Sequence, residues 1–202
     1  MKVKFTFFLI LIINLSLYSQ TITELIVENR VELFKENTIK AEKGDSKAQY
    51  DLGQMYHYGV GTKKDDIKAF YYYEKSSNQG YLNGLYAVAT SYYSGDGVKQ
   101  DKKKALQLFT QCSEQGDYNS KFNLANMYFY GENTEIDLEK SFDLYSQCAE
   151  NGNPDSQTIL GMMYYNGFGT KKDIDKAKKR LNKASKNGSE MATQLIEEIK
   201  KN

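Results

Sequence analysis

Apolar and polar positions along this chain alternate with the period of a helix, and the pattern restarts at a fixed interval. Ala48, Leu52, Met55 and Tyr56 fall at i, i+4, i+7 and i+8, one face of a helix from about Ser46 to Tyr58. A second run, from about Asp66 to Asn78, places Ala69, Tyr73 and Ser76 on one face. Between them lies GVGTKKDDIKA, starting at Gly59. It returns as GDGVKQDKKKA at Gly95, GENTEIDLEKS at Gly131 and GFGTKKDIDKA at Gly167, always 36 residues on. The segment therefore reads as four units of two antiparallel helices each, at 44–79, 80–115, 116–151 and 152–187.

The columns of these units have mechanical meanings. Gly59, Gly95, Gly131 and Gly167 follow a helix, where a left-handed residue ends it. Gly61, Gly97, Asn133 and Gly169 come two positions later, and asparagine is the other residue that enters that conformation readily. Asp65, Asp101, Asp137 and Asp173 stand ahead of the second helix as N-caps. Lys68, Lys104, Lys140 and Lys176 pair with a carboxylate or lay their stems over apolar surface. A phosphate-binding loop is needed once, not four times. The third glycine of G-x-G-x-x-G and the G-K-[ST] ending are also absent. Gly53, Ala89, Ala125 and Gly161 stay small so that the paired helix can approach, and Tyr73, Phe109, Tyr145 and Leu181 fill the opposing column.

The repeated pattern A-x3-L-G-x2-Y-x2-G-x-G-x3-D-x2-K-A, across residues 44–187, resembles the Sel-one-like repeat, a relative of the tetratricopeptide repeat. The resemblance implies an all-α, right-handed α-solenoid of αα-hairpins. It also implies roles in protein–protein interaction and in assembling signalling or envelope complexes. Some secreted, cysteine-rich members have been described as β-lactam-binding or β-lactamase-like. A β-lactamase-like or peptidoglycan-directed hydrolase is therefore the alternative to a binding scaffold.

The flanks differ from the repeats. Residues 1–20 carry Lys2 and Lys4, an apolar stretch from Phe5 to Leu17, then small and polar residues, the layout of a secretory signal. The apolar run is shorter than the roughly 20 residues a spanning helix needs. A secreted or periplasmic chain with no stable membrane anchor after cleavage is expected. Residues 21–43 read as a capping helix with Leu25, Ile26, Val31, Phe34 and Ile39 partly in phase. Residues 188–202 read as a capping half-repeat with Met191, Ala192, Leu195, Ile196 and Ile199 on one face. Lysines from Lys171 to Lys201 make this end basic, either as a solvated cap or as a site for an acidic partner.

Composition narrows the chemistry. Among 202 residues, 27 Lys and Arg against 26 Asp and Glu leave a net charge of +1, which speaks against nucleic acid. His57 is the single histidine, so a metal site lacks companions, and no cofactor is expected. No H-E-x-x-H, G-x-S-x-G, S-x-x-K or K-T-G sequence and no acid–base carboxylate pair mark a catalytic site. Cys112 and Cys148 hold one column of neighbouring units. Helices packed about 8–10 Å apart keep them beyond the roughly 7 Å a disulfide spans, so two buried thiols and no disulfide are expected.

The far face of each first helix carries Tyr50, Gln54 and His57, then Tyr86, Thr90 and Tyr93, then Phe122, Asn126 and Phe129, then Thr158, Met162 and Tyr165. Lys47 and Tyr58 flank it. An aromatic stripe backed by amides, on a face the unit's own core does not use, fits a groove for a peptide or protein segment. In tetratricopeptide relatives this side lines the concave surface. The competing reading is that these rings pack between adjacent helices and are only half exposed.

Overall fold

A computed structural model describes residues 24–201. The expected leader at 1–20 lies outside them. The described residues are helical, with α1 at 24–42, α2 Ser46–Tyr58, α3 Asp66–Asn78, α4 Leu82–Ser94 and α5 Lys102–Glu114. They continue with α6 Tyr118–Tyr130, α7 Leu138–Glu150, α8 Pro154–Asn166, α9 Ile174–Lys186 and α10 Glu190–Lys201. No strand occurs among the described residues.

Side-chain chemistry sets the helix ends. The carboxylates of Asp65, Asp101, Asp137 and Asp173 accept from the backbone N–H three residues on, opening α3, α5, α7 and α9. Asp45, Asp117 and Asn153 do the same for α2, α6 and α8. Gly59, Gly131 and Gly167 close α2, α6 and α8 in the left-handed region, returning their N–H to Met55, Met127 and Met163.

The second loop position does more than turn the chain. Gly97 (φ 71) lies against the Asp66 carbonyl at the start of α3, where a Cβ would collide with it. Asn133 has φ 55, the one non-glycine residue with positive φ among the described residues.

The chain packs as two compact units, the first comprising residues up to Gly84 with Asp96–Val98, the second Leu85–Gly95 with the residues from Lys99 onward. In the first, Ala41, Ala48 and Leu52 form the core, with Phe34, Tyr56 and Tyr72 against it. The Phe34 ring meets Tyr56 edge-on at 5.4 Å, and Tyr56 stacks on Tyr72 at 5.7 Å. The capping contact of α1 thus runs through Phe34 and Ala41. Leu25, Ile26, Val31 and Ile39, expected to share it, are exposed.

In the second unit, Ala89, Ala105, Phe109, Leu124 and Met127 make one buried cluster, and Ala125, Tyr145 and Met163 the next. Leu181, Ala184, Ala192 and Ile199 close the end against α10. Met191, expected on that face, is exposed.

The small column sets helix spacing. A Cβ on Gly53 would stand 2.5 Å from the Tyr73 ring, and one on Gly161 would stand 2.6 Å from Leu181. Ser76 Oγ donates to the Ser46 carbonyl at 2.6 Å, and Cys148 Sγ reaches the Tyr118 carbonyl at 3.4 Å. Both cysteines are buried free thiols. No helix among the described residues is long and apolar enough to cross a membrane.

Candidate partner-binding face

In the first unit, α2 presents Tyr50, Gln54 and His57, all half-buried. The Tyr50 ring lies between Tyr73 at 6.0 Å and Tyr81 at 5.7 Å, and burial raises its phenol above the usual range. His57 Nδ1 lies 2.7 Å from Asp66 Oδ1, and Lys64 holds the second carboxylate oxygen at 3.2 Å. Tyr58 is 70% exposed and meets the His57 ring edge-on. Lys47 is exposed and paired with Asp51, one turn on.

In the second unit, Tyr86 and Tyr93 both lean on Phe109, at 6.0 and 6.2 Å. The Tyr86 hydroxyl accepts from Asn123 at 3.3 Å. The Tyr93 hydroxyl donates to Glu132 at 2.7 Å. Lys102 pairs with Glu132 at 3.3 Å and sits 4.9 Å over the Tyr93 ring. Phe122 packs edge-on to Tyr145 at 5.7 Å, whose hydroxyl donates to Asn126. Phe129 lies between Tyr130 and Phe168, at 5.0 and 6.0 Å. Thr90 donates to the Tyr86 carbonyl of its own helix. Met162 and Tyr165 are half-buried, and Lys172 stands over the Tyr165 ring.

This geometry corrects one premise. The stripe is not separate from the core of its own unit, because each ring of Tyr50, Tyr86, Tyr93 and Phe122 has its root on an aromatic of the following helix. Thr158 is buried and hydrogen-bonded to Ser189, so it lines nothing. The remaining edges are half exposed and held in fixed positions. Sequence reasoning missed Tyr81, Tyr130 and the Lys102–Glu132 pair. Comparing loop columns was the available signal for the last: Glu132 stands where the other loops carry Val60, Asp96 and Phe168.

The site's polar groups are engaged chiefly with one another. His57 is bonded to Asp66, and among the described residues no group of three metal-ligating side chains converges. Burial pushes the Cys112 thiol up to about 11, away from the nucleophilic thiolate. An open cleft of about 1000 Å³ lies beside the third and fourth loops, among Tyr128, Asp137, Gly167 and Gly169. Its lining comes mostly from the two loops and the first turn of α7, with Ile136, Leu138 and Lys171 beside the cap carboxylate, so it belongs to the loop architecture.

Comparison with known proteins agrees with this construction. A 47-residue stretch is 49% identical to a sel1-like repeat-containing protein of Acanthamoeba polyphaga mimivirus, spanning 23% of this chain and 8% of that protein. Among solved structures, the protective antigen c5321 of uropathogenic Escherichia coli, which displays an SLR fold, matches at TM-score 0.76 and 30% identity. The match covers 79% of this chain and 34% of that one. A Sel1 repeat protein from Oxalobacter formigenes matches at TM-score 0.76 and 27% identity, over 84% of this chain and 49% of that one. The chain therefore spans half or less of these relatives. Cysteine rich protein B of Helicobacter pylori matches at TM-score 0.50 and 28% identity, over 65% of this chain and 95% of that one. The fold is the all-α class of stacked helix pairs that these neighbours share. The Sel1 repeat model matches residues 46–81, 82–117, 119–153 and 154–189, and the chain belongs to the Sel1 repeat family.

Proposed function

We propose that this chain is an extracytoplasmic scaffold that holds a segment of a partner protein against the aromatic face of its first-in-pair helices. Sel1 repeat proteins are in general protein-interaction scaffolds. The observation that carries the finer reading is the rooted aromatic column of the second unit. Tyr86, Tyr93, Phe122 and Phe129 keep half-exposed edges whose orientation is fixed by Phe109, Tyr145 and Phe168. Rigid, amphipathic rings offer contact area at little entropic cost on binding. The Asn123 amide donates to the Tyr86 hydroxyl and the Asn126 amide accepts from Tyr145, so polar groups border the rings. The ground for the location is the signal-like pattern of residues 1–20, Lys2 and Lys4 ahead of an apolar stretch.

The test is affinity capture by the mature chain from an extract of its source, read by mass spectrometry. A Tyr86→Ala/Phe129→Ala variant with unchanged helicity runs beside it. A partner held by the wild type and lost by the variant is the expected result. Equal retention removes the function from this face. Turnover of nitrocefin by repurified protein replaces the scaffold with the hydrolase that the family resemblance also implies.

A further inference from the structure

The helix of the last complete repeat departs from its three counterparts in one respect. Arg180 stands where the others carry Tyr72, Leu108 and Leu144. Lys179 replaces Tyr71, Gln107 and Asp143, and Lys183 shares its column with Lys75 but replaces the Gln111 and Gln147 of the middle repeats. With Lys176 these residues fall at i, i+3, i+4 and i+7, a single face of α9. That face and Tyr164 line a cleft of about 390 Å³ whose titratable side chains are four cations and one phenol. Lys176 is engaged, with Asp173 at 3.3 Å and the Tyr164 ring at 5.4 Å. Among the described residues, no carboxylate lies within ion-pair distance of Lys179, Arg180 or Lys183. Arg180 is nevertheless half-buried.

A solubilising end needs polar groups of either sign, and α10, the last helix described, mixes them: Glu190, Glu197 and Glu198 with Lys200 and Lys201. The cleft on α9 has one sign only. With Lys176 already paired to Asp173, the like charges of Lys179, Arg180 and Lys183 drawn together are mutually unfavourable until an anion enters. We infer that this cleft is a second interaction site, which docks an acidic segment of a partner protein. Cations spread over two turns, about 10 Å, suit a chain that presents carboxylates turn by turn, with Arg180 offering the two-pronged donor a carboxylate accepts. The near-neutral net charge, +1 over the whole sequence, is unlike the broad basic footprint of a nucleic-acid site. The inference is independent of the aromatic face.

The probe is a fluorescein-labelled deca-glutamate peptide titrated with the full mature chain and read by anisotropy. Saturable binding is expected, weakening as salt rises from about 0.05 to about 0.5 M. Lys179→Glu/Arg180→Glu should weaken it at least about tenfold, the loss of two charge-assisted contacts. Lys179→Gln/Lys183→Gln, which leaves the half-buried position untouched, should weaken it several-fold and guards against a folding artefact. Tyr86→Ala/Phe129→Ala should bind as the wild type does. No binding, or equal binding by both charge variants, overturns the inference. So does competition by inorganic tripolyphosphate or by duplex DNA at lower concentration than unlabelled peptide, which reassigns the cleft to phosphate ligands.

Discussion

Tyr93 shows how a single position serves both packing and surface. Its ring rests on Phe109, its hydroxyl donates to Glu132, and Lys102 lies over its face. The hydrogen bond to Glu132, then burial, push its phenol up to about 12. Burial pushes the Cys112 thiol up to about 11, and raises the phenols of Tyr73 and Tyr145. These groups are held protonated in the fold, so the unfolded chain releases their protons first as pH rises. Their contribution is complete below the ordinary values, 9.0 for the thiol and 10.0 for the phenol, and is lost as pH climbs through the raised ones. The urea midpoint should accordingly hold between about pH 7 and 8 and fall above about pH 9, with a shallower alkaline fall for Tyr93→Phe. A midpoint that rises with alkalinity contradicts the assignment. The sequence placed Tyr93 on an aromatic face but hid this network, because Glu132 lies 39 residues away on a loop.

At the scale of the helix pair, spacing is set where one side chain is missing. A Cβ on Gly53 would meet the Tyr73 ring at 2.5 Å and the Ala69 carbonyl at 3.1 Å. Tyr73 has little room to yield, being 4% exposed and packed against Tyr50. Two effects oppose each other in Gly53→Ala. Helix propensity favours alanine by about 1 kcal/mol, while overpacking costs about 1–3 kcal/mol. The rigid ring decides for the clash, so the variant should unfold about 1 kcal/mol more easily by denaturant titration. A stabilised variant would mean that the ring rotates away. The helix bounds themselves were legible, because a glycine, then a glycine or Asn133 two positions on, then an aspartate write a C-terminal stop and an N-cap into each unit. Helix α1 was less legible. It has no equivalent column elsewhere in the chain, and its apolar letters are only partly in phase. Phe34 and Ala41 make the contact while Leu25 and Ile26 stay in water.

Over the whole molecule, the repeat makes stability local. Each core cluster among the described residues draws on helices that follow one another in the chain. The family, the fold class and the repeat are written in the letters because recurrence tests each position four times. Sites are written less clearly, since the features that matter are departures from the repeat: Glu132 in one loop, Arg180 on one helix. The same locality predicts uneven opening. Residues 24–29 are exposed and lie ahead of the Arg30 backbone against which Gly61 packs, so the first turn of α1 buries little, and an isolated stretch of helix is marginal in water. The interior of the second unit, around Phe109, Met127, Tyr145 and Met163, is close to fully buried. Hydrogen exchange on the intact chain should therefore run fastest at the start of α1, slower through α10, and slowest in α5 to α8. Protection that is uniform from α1 to α10 would instead require a cooperative unit spanning the chain, and the nearest-neighbour account of its stability would fail.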